Sequence, residues 1–261
     1  MQYNFGIFKE VKGGGIMHQI EYAALKYYNN VISEECLYIG MLFHNLTTGA
    51  REFRHISNFR RFQSFDDEAD INFVKLYLEG IKHQVEESIF NYNKPFSIAD
   101  FSKIYVNEFR FSDAKVMEVA ENEDYVGDLT KMYLKFDFNK RERLSISEEK
   151  KYIRKILAAK NVEFSTPKIL GTYNENISFD YIIGDIAIKL FSFKEKDTTK
   201  LLPSAKQWAF SAEELKERYQ IVFLYDEADD SQQLKIIMQI LKKHAKVYQL
   251  QDGLDYLLKA I

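Results

Sequence analysis

The stretch Phe179-Asp180-Tyr181-Ile182-Ile183-Gly184-Asp185-Ile186-Ala187-Ile188-Lys189-Leu190-Phe191 decides how this chain is read. Aromatic and β-branched residues fill both ends, and Gly184-Asp185 punctuates them, so two short strands hinged at Gly184 are predicted. Asp180 stands on the first strand and Lys189 late on the second. Side chains alternate along a strand, so residues two apart share a face. Ala187 therefore shares the face of Lys189. Asp185 has the same parity, one full strand repeat before Ala187, which is roughly 6.6 Å along the strand.

Working outward, the spacing predicts a helix from Ser147 to about Lys160, with Glu148 and Glu149 in its first turn. Strands are expected near 162–173, 177–183 and 186–193. A helix opens at Pro203-Ser204 and runs toward Arg218, and Tyr219 to Tyr225 reads as a central strand. Asp230 or Ser231 caps a helix carrying Leu234, Ile237, Ile240 and Leu241 on one face. Lys246 to Leu250 is a last short strand, and Leu254 to Ile261 a closing helix. Toward the N-terminus, strands are predicted at 18–28, 36–44, 50–56 and 104–111. A helix is expected over 70–90 from Ile71, Val74, Leu78, Ile81, Val85 and Ile89, and a further one over 124–138.

These elements predict an α+β / α/β chain. An N-terminal antiparallel-sheet domain spans 17–143 and a second domain 147–261, joined by the charged connector Arg141-Glu142-Arg143-Leu144-Ser145. Residues 1–16, which include Gly13-Gly14-Gly15, are expected to form a flexible extension. With 21 Phe and 17 Tyr a sizeable core is possible. The net charge is −3, so any nucleic-acid contact needs a local basic patch. Cys36 is the single cysteine, which excludes an internal disulfide and a cysteine-rich zinc site. No apolar run is long enough to span a bilayer, and no secretory leader is expected, which fits the cytoplasm. Phosphate-loop, dinucleotide and nucleophile-elbow glycine motifs are missing.

The order α-β-β-β-α-β-α-β-α over 147–261 resembles the αβββαβ core of PD-(D/E)xK restriction endonucleases. The same half is similar to C-terminal domains of uncharacterised bacterial proteins carried on phages and plasmids, where an aromatic-Asp-aromatic strand like Phe179-Asp180-Tyr181 precedes a hairpin. Tyr22, Leu25 and Tyr27, followed by Glu35, Ile39 and Gly40, resemble the first strand pair of another bacterial domain-of-unknown-function family. These likenesses imply a mobile-element or phage-conflict setting, in defence or counter-defence.

The nuclease resemblance implies roles. Asp180 takes the place of the first Mg²⁺ ligand and Lys189 that of the lysine which positions the attacking water. Ala187 occupies the place of the second acid, and a methyl group binds no metal. A live site then needs Asp185, or Glu149 or Glu163, in the metal shell. Two readings follow: a non-catalytic protein that binds nucleic acid or a host or phage protein and needs no cofactor, or a divalent-metal-dependent nuclease using Mg²⁺. For the first, Arg51, Arg54, Arg60 and Arg61 interleave with Phe53, Phe59, Phe62 and Phe65, a pattern able to grip phosphates and stack bases. Arg54, Arg60 and Arg61 are also placed to offset Asp66, Asp67, Glu68 and Asp70. Lys235, Lys242, Lys243, His244 and Lys246 lie on one helix and its exit, and Lys242, Lys243 and His244 suit a helix C-terminus. The acidic run from Asp226 to Asp230 is a candidate surface for a basic protein partner.

Overall fold

A computed structural model of the chain describes residues 16–30, 35–87, 95–139, 141–193, 198–226 and 232–260. It divides into two compact units, residues 1–159 and 160–261. Residues 1–15, with the triple glycine, lie outside the described residues, as do Ile89 and the stretch 227–231.

The first unit is built on an antiparallel sheet. Its strands are β1 (Met17–Tyr28), β2 (Cys36–Asn45), β3 (Arg51–His55), β4 (Phe109–Phe111) and β5 (Lys115–Ala120). The order is β3-β2-β1, and β1 pairs on its other side with β5 along one half and β4 along the other. Both faces are covered, so β2 is buried along most of its length rather than alternating. One face carries Leu25, Tyr27, Phe53 and Phe109, beneath α1 (Arg60–Phe65), α2 (Ile71–Glu86) and α3 (Ile98–Ser102). The other carries Tyr22, Tyr38 and Phe43, which meet Tyr125 and Tyr133 of α4 (Tyr125–Tyr133) edge-on. Gly40 is required where it stands: a Cβ there would lie 2.6 Å from the buried ring of Phe53.

Helix α5 (Ile146–Ala159) belongs to this unit, although the sequence reads it as opening the second half. Tyr152 donates a hydrogen bond to Asp128 of α4 at 2.7 Å, and Lys151 and Lys155 both pair with Glu123. Glu149, 1% exposed, faces the buried Lys135 at 3.1 Å.

In the second unit β8 (Tyr181–Ile183) and β9 (Ile186–Phe191) form the predicted hairpin, with Gly184 at φ +57°. A positive φ at the first of two turn residues is what glycine accommodates there. From β9 the sheet continues in parallel through β10 (Gln220–Tyr225) to β11 (Lys246–Gln249). Ala187, Phe191, Ile221 and Phe223 share a core with Ala205 and Ala212 of α6 (Thr198–Leu215) and with Ile237 and Leu241 of α7 (Gln232–Lys242). On α8 (Leu250–Ala260) Gly253 lies against Leu224. A separate pair, β6 (Lys168–Leu170) and β7 (Asn176–Ser178), precedes the hairpin.

Candidate functional site

Asp180 sits between β7 and β8, in a segment read from sequence as one continuous strand. Its backbone N–H donates to the carbonyl of Ile188 at 2.8 Å, and its Oδ2 accepts the N–H of Leu190 at 2.8 Å. The carboxylate thus takes over a ladder position, and the strand breaks there. Lys189 Nζ lies 3.5 Å from the same oxygen, donates to the carbonyl of Ser178 at 3.0 Å, and rests 4.7 Å from the Trp208 ring. Asp180 and Lys189 are therefore brought together, in an ion pair built into the hairpin edge.

Asp185 is not with them. It occupies the turn at the far end of the hairpin, about 13 Å along β9 from Lys189 at a rise of about 3.3 Å per residue. Its carbonyl accepts the N–H of Gln220 at 2.8 Å. Ala187 is fully buried in the core shared with α6. Glu149 is engaged with Lys135 in the first unit. Among the described residues no three His, Cys, Asp or Glu side chains converge on a common point. Mg²⁺, which the nuclease alternative implies, does not fit this arrangement: one carboxylate is committed to a backbone N–H, a methyl group fills the second position, and Asp185 lies a hairpin's length away.

The four arginines singled out from the sequence separate into three places. Arg54 pairs with Glu52 of its own strand. Arg51 packs over Phe96, 5.0 Å from the ring centre. Arg60 and Arg61 are exposed on α1. Arg61 stands with its guanidinium carbon 3.3 Å above the centre of the Phe136 ring, a separation that only a face-on stack fits. Arg143, from the connector, brings a second guanidinium within 5.2 Å of that ring. Sequence reasoning missed this convergence, because about seventy-five residues separate Phe136 from Arg61 and no local pattern joins them.

Asp137 fixes the arrangement. Its carboxylate accepts the N–H of Ser57 at 2.9 Å, the N–H of Asn58 at 2.6 Å and the hydroxyl of Ser57 at 3.0 Å. That ties the loop entering α1 to the short 3-10 turn bearing Phe136. Beside it, Lys75 of α2 lies 5.2 Å from the ring of Phe59. Two of the neighbouring acids, Asp66 and Asp70, are committed to other groups. Asp66 accepts the hydroxyl of Tyr27 at 2.6 Å and two loop N–H groups, and Asp70 caps α2. Burial, followed by that bond to Asp66, pushes the Tyr27 phenol well above its ordinary range. Of the interleaved phenylalanines, Phe53 and Phe62 are core residues, and Phe59 and Phe65 are half-buried.

Two further surfaces bear on function. An open cleft of about 570 Å³ lies where β9, β10 and β11 begin, lined by Lys216, Arg218, Lys242 and Lys246 together with Asp185 and Glu217. Its charge is mixed, and Glu213 pairs with both Lys216 and His244. Lys216 and Lys242 stand at the C-terminal ends of α6 and α7, where cations offset the helix dipoles. Lys246 and Gln220 both donate to Tyr256 Oη, at 2.7 and 2.8 Å, and the Lys246 bond holds that phenol below its usual value against the opposing effect of burial.

The second surface is an apolar groove of about 370 Å³ in the first unit, between α2 and the segment after α3. Phe73, Leu76 and Ile104 line it while 56%, 73% and 71% exposed. Of the acidic run after β10 only Asp226 is described. It is 5% exposed and accepts the hydroxyl of Ser192 and the N–H of Phe193.

No family model, curated protein or solved structure matches this chain.

Proposed function

We propose that this chain binds nucleic acid without cleaving it, in the mobile-element or phage-conflict setting that its sequence resemblances imply. The observation that carries this reading is the face-on stack of Arg61 on Phe136, with Arg143 at the same ring and Arg60 exposed beside it. A guanidinium held flat on an aromatic ring keeps its charge and its donors while losing little freedom on contact with phosphate. The second unit supports a non-catalytic role. Its antiparallel hairpin followed by parallel strands agrees with a restriction-endonuclease-like scaffold, and on that scaffold the Asp180–Lys189 pair acts as structure.

A protein partner is the second reading, favoured by the exposed Phe73, Leu76 and Ile104 along their groove. Contiguous exposed apolar side chains mark interaction surfaces more often than scattered ones do. The test is binding of labelled DNA and RNA by fluorescence anisotropy across a salt series, with gel analysis of the same samples in Mg²⁺ and Mn²⁺. Binding that weakens steeply with salt and leaves the strands intact is expected. Arg60→Ala should weaken it and lower the salt slope by about 1, as for a single lost phosphate contact. Cleavage that disappears in Asp180→Ala would instead establish the nuclease. Absence of binding leaves the protein partner as the reading to pursue.

A further inference from the structure

We infer that the α1 surface takes unpaired bases, so that the preferred ligand is single-stranded nucleic acid rather than a duplex; this rests on the nucleic-acid reading above. A phosphate-only site needs point charges and tolerates any arrangement of lysine and arginine. The surface around α1 has more than that. Arg61 is exposed, and its inner face is set against Phe136 at 3.3 Å. An exposed guanidinium held flat against a ring has the size and planarity of a stacking partner for a base. Phe59, two residues earlier in the chain, is a half-buried ring with Lys75 5.2 Å from its centre. The segment Phe59-Arg60-Arg61 thus alternates a ring, an exposed cation and a stacked guanidinium.

Stacking platforms of this kind select against duplexes for a simple reason. In a duplex each base face is already covered by its neighbours, and a flat side-chain surface reaches one only at an end. A single strand offers every base face. Arg60 and Lys75 are then phosphate contacts along the backbone, and Arg61 is the stacking residue. Asp137 is the positioning residue: by holding Ser57 and Asn58 it sets the loop that delivers Arg61 to Phe136.

The substitution that separates stacking from charge is Arg61→Lys, which keeps the cation and removes the plane. Anisotropy titrations with oligo-dT, oligo-dA and a duplex of equal length should show tighter binding of the single strands by the wild-type chain. Arg61→Lys should weaken single-strand binding about tenfold, the loss expected for one base–side-chain stack, with the salt slope unchanged. Arg60→Ala should instead lower the salt slope by about 1 and weaken single strand and duplex alike, as the loss of one phosphate contact does. Far-UV circular dichroism confirms that each variant is folded. Duplex bound as tightly as single strand, or full affinity in Arg61→Lys, overturns the inference while leaving the nucleic-acid reading intact. Failure of the wild-type chain to bind any of the three probes removes both.

Discussion

At the scale of single residues, the hairpin shows how one acid and one lysine are used when no second acid faces them. Asp180 accepts the Leu190 N–H and the Lys189 ammonium, so removing it leaves a backbone donor and a cation short of an acceptor. Asp180→Ala should cost about 1–3 kcal/mol in chemical denaturation, the range for a lost acceptor at a partly buried site. A double-mutant cycle with Lys189→Ala should show coupling. A pair kept for catalysis would leave stability unchanged when broken. Ala187→Asp would put a carboxylate into the core that holds Ala205 and Ala212, and a large loss of stability without cleavage is expected. Gly40→Ala is a cleaner packing probe. The added methyl meets a fully buried Phe53 ring, and a loss of about 1–3 kcal/mol is expected from overpacking.

At the scale of elements, the long periodic segments were legible in the sequence. The 70–90 helix is α2, ending at Glu86 within the described residues, with Val74, Leu78, Ile81 and Val85 buried as their spacing predicts. β1, β2, β3, β9, β10, β11 and α7 stand within a few residues of their expected bounds, and α8 begins four residues early. The errors have local causes. The 104–111 segment alternates like a strand, yet only Phe109–Phe111 pairs as a strand, because the antiparallel register carries the residues before it past the end of β1 at Tyr28. β5 itself went unread: its buried face begins with Lys115, whose charge hides the alternation with Met117 and Val119. The 177–183 strand breaks at Asp180 because a side chain replaces the ladder. Helices α1 and α3 are too short for any periodicity to register. The groove-lining Phe73 and Leu76 also lay hidden, since an outward apolar residue on an amphipathic helix reads as noise.

The attachment of α5 yields a pH prediction. Burial raises the Glu123 carboxyl, but hydrogen bonds and charge from Lys151 and Lys155 outweigh it and hold the group below its ordinary value. A carboxyl depressed in the folded state stabilises fully above the unfolded value of about 4.3, and that contribution fades as pH falls through the folded value. Glu123→Gln should therefore lower stability at neutral pH, by about 2 kcal/mol, and flatten the loss seen below about pH 4. Urea melts of both proteins across that range provide the check. An unchanged acid limb would mean that the bridge contributes nothing.

For the molecule as a whole, the candidate sites were legible in unequal measure. The sequence brought Asp180 and Lys189 together and put Ala187 on the face of Lys189, because strand parity fixes which residues share a face. It grouped Arg51, Arg54, Arg60 and Arg61 by proximity in the chain, and the fold separated them, because β3 sends Arg51 and Arg54 to opposite sides and one is offset by Glu52. Phe136 and Arg143 entered the site only through long-range packing. The buried Lys135–Glu149 pair is of the same kind: it joins the start of α5 to the 3-10 turn that carries Phe136. Breaking one side with Lys135→Ala should destabilise the first unit by about 3–5 kcal/mol.

The most direct measurement is anomalous scattering from crystals of the full chain soaked in manganese. The account predicts no ion at Asp180, whose oxygen stays on the Leu190 N–H and beside Lys189. A well-occupied manganese bound by Asp180 and a neighbouring acid, with Lys189 displaced, would contradict it.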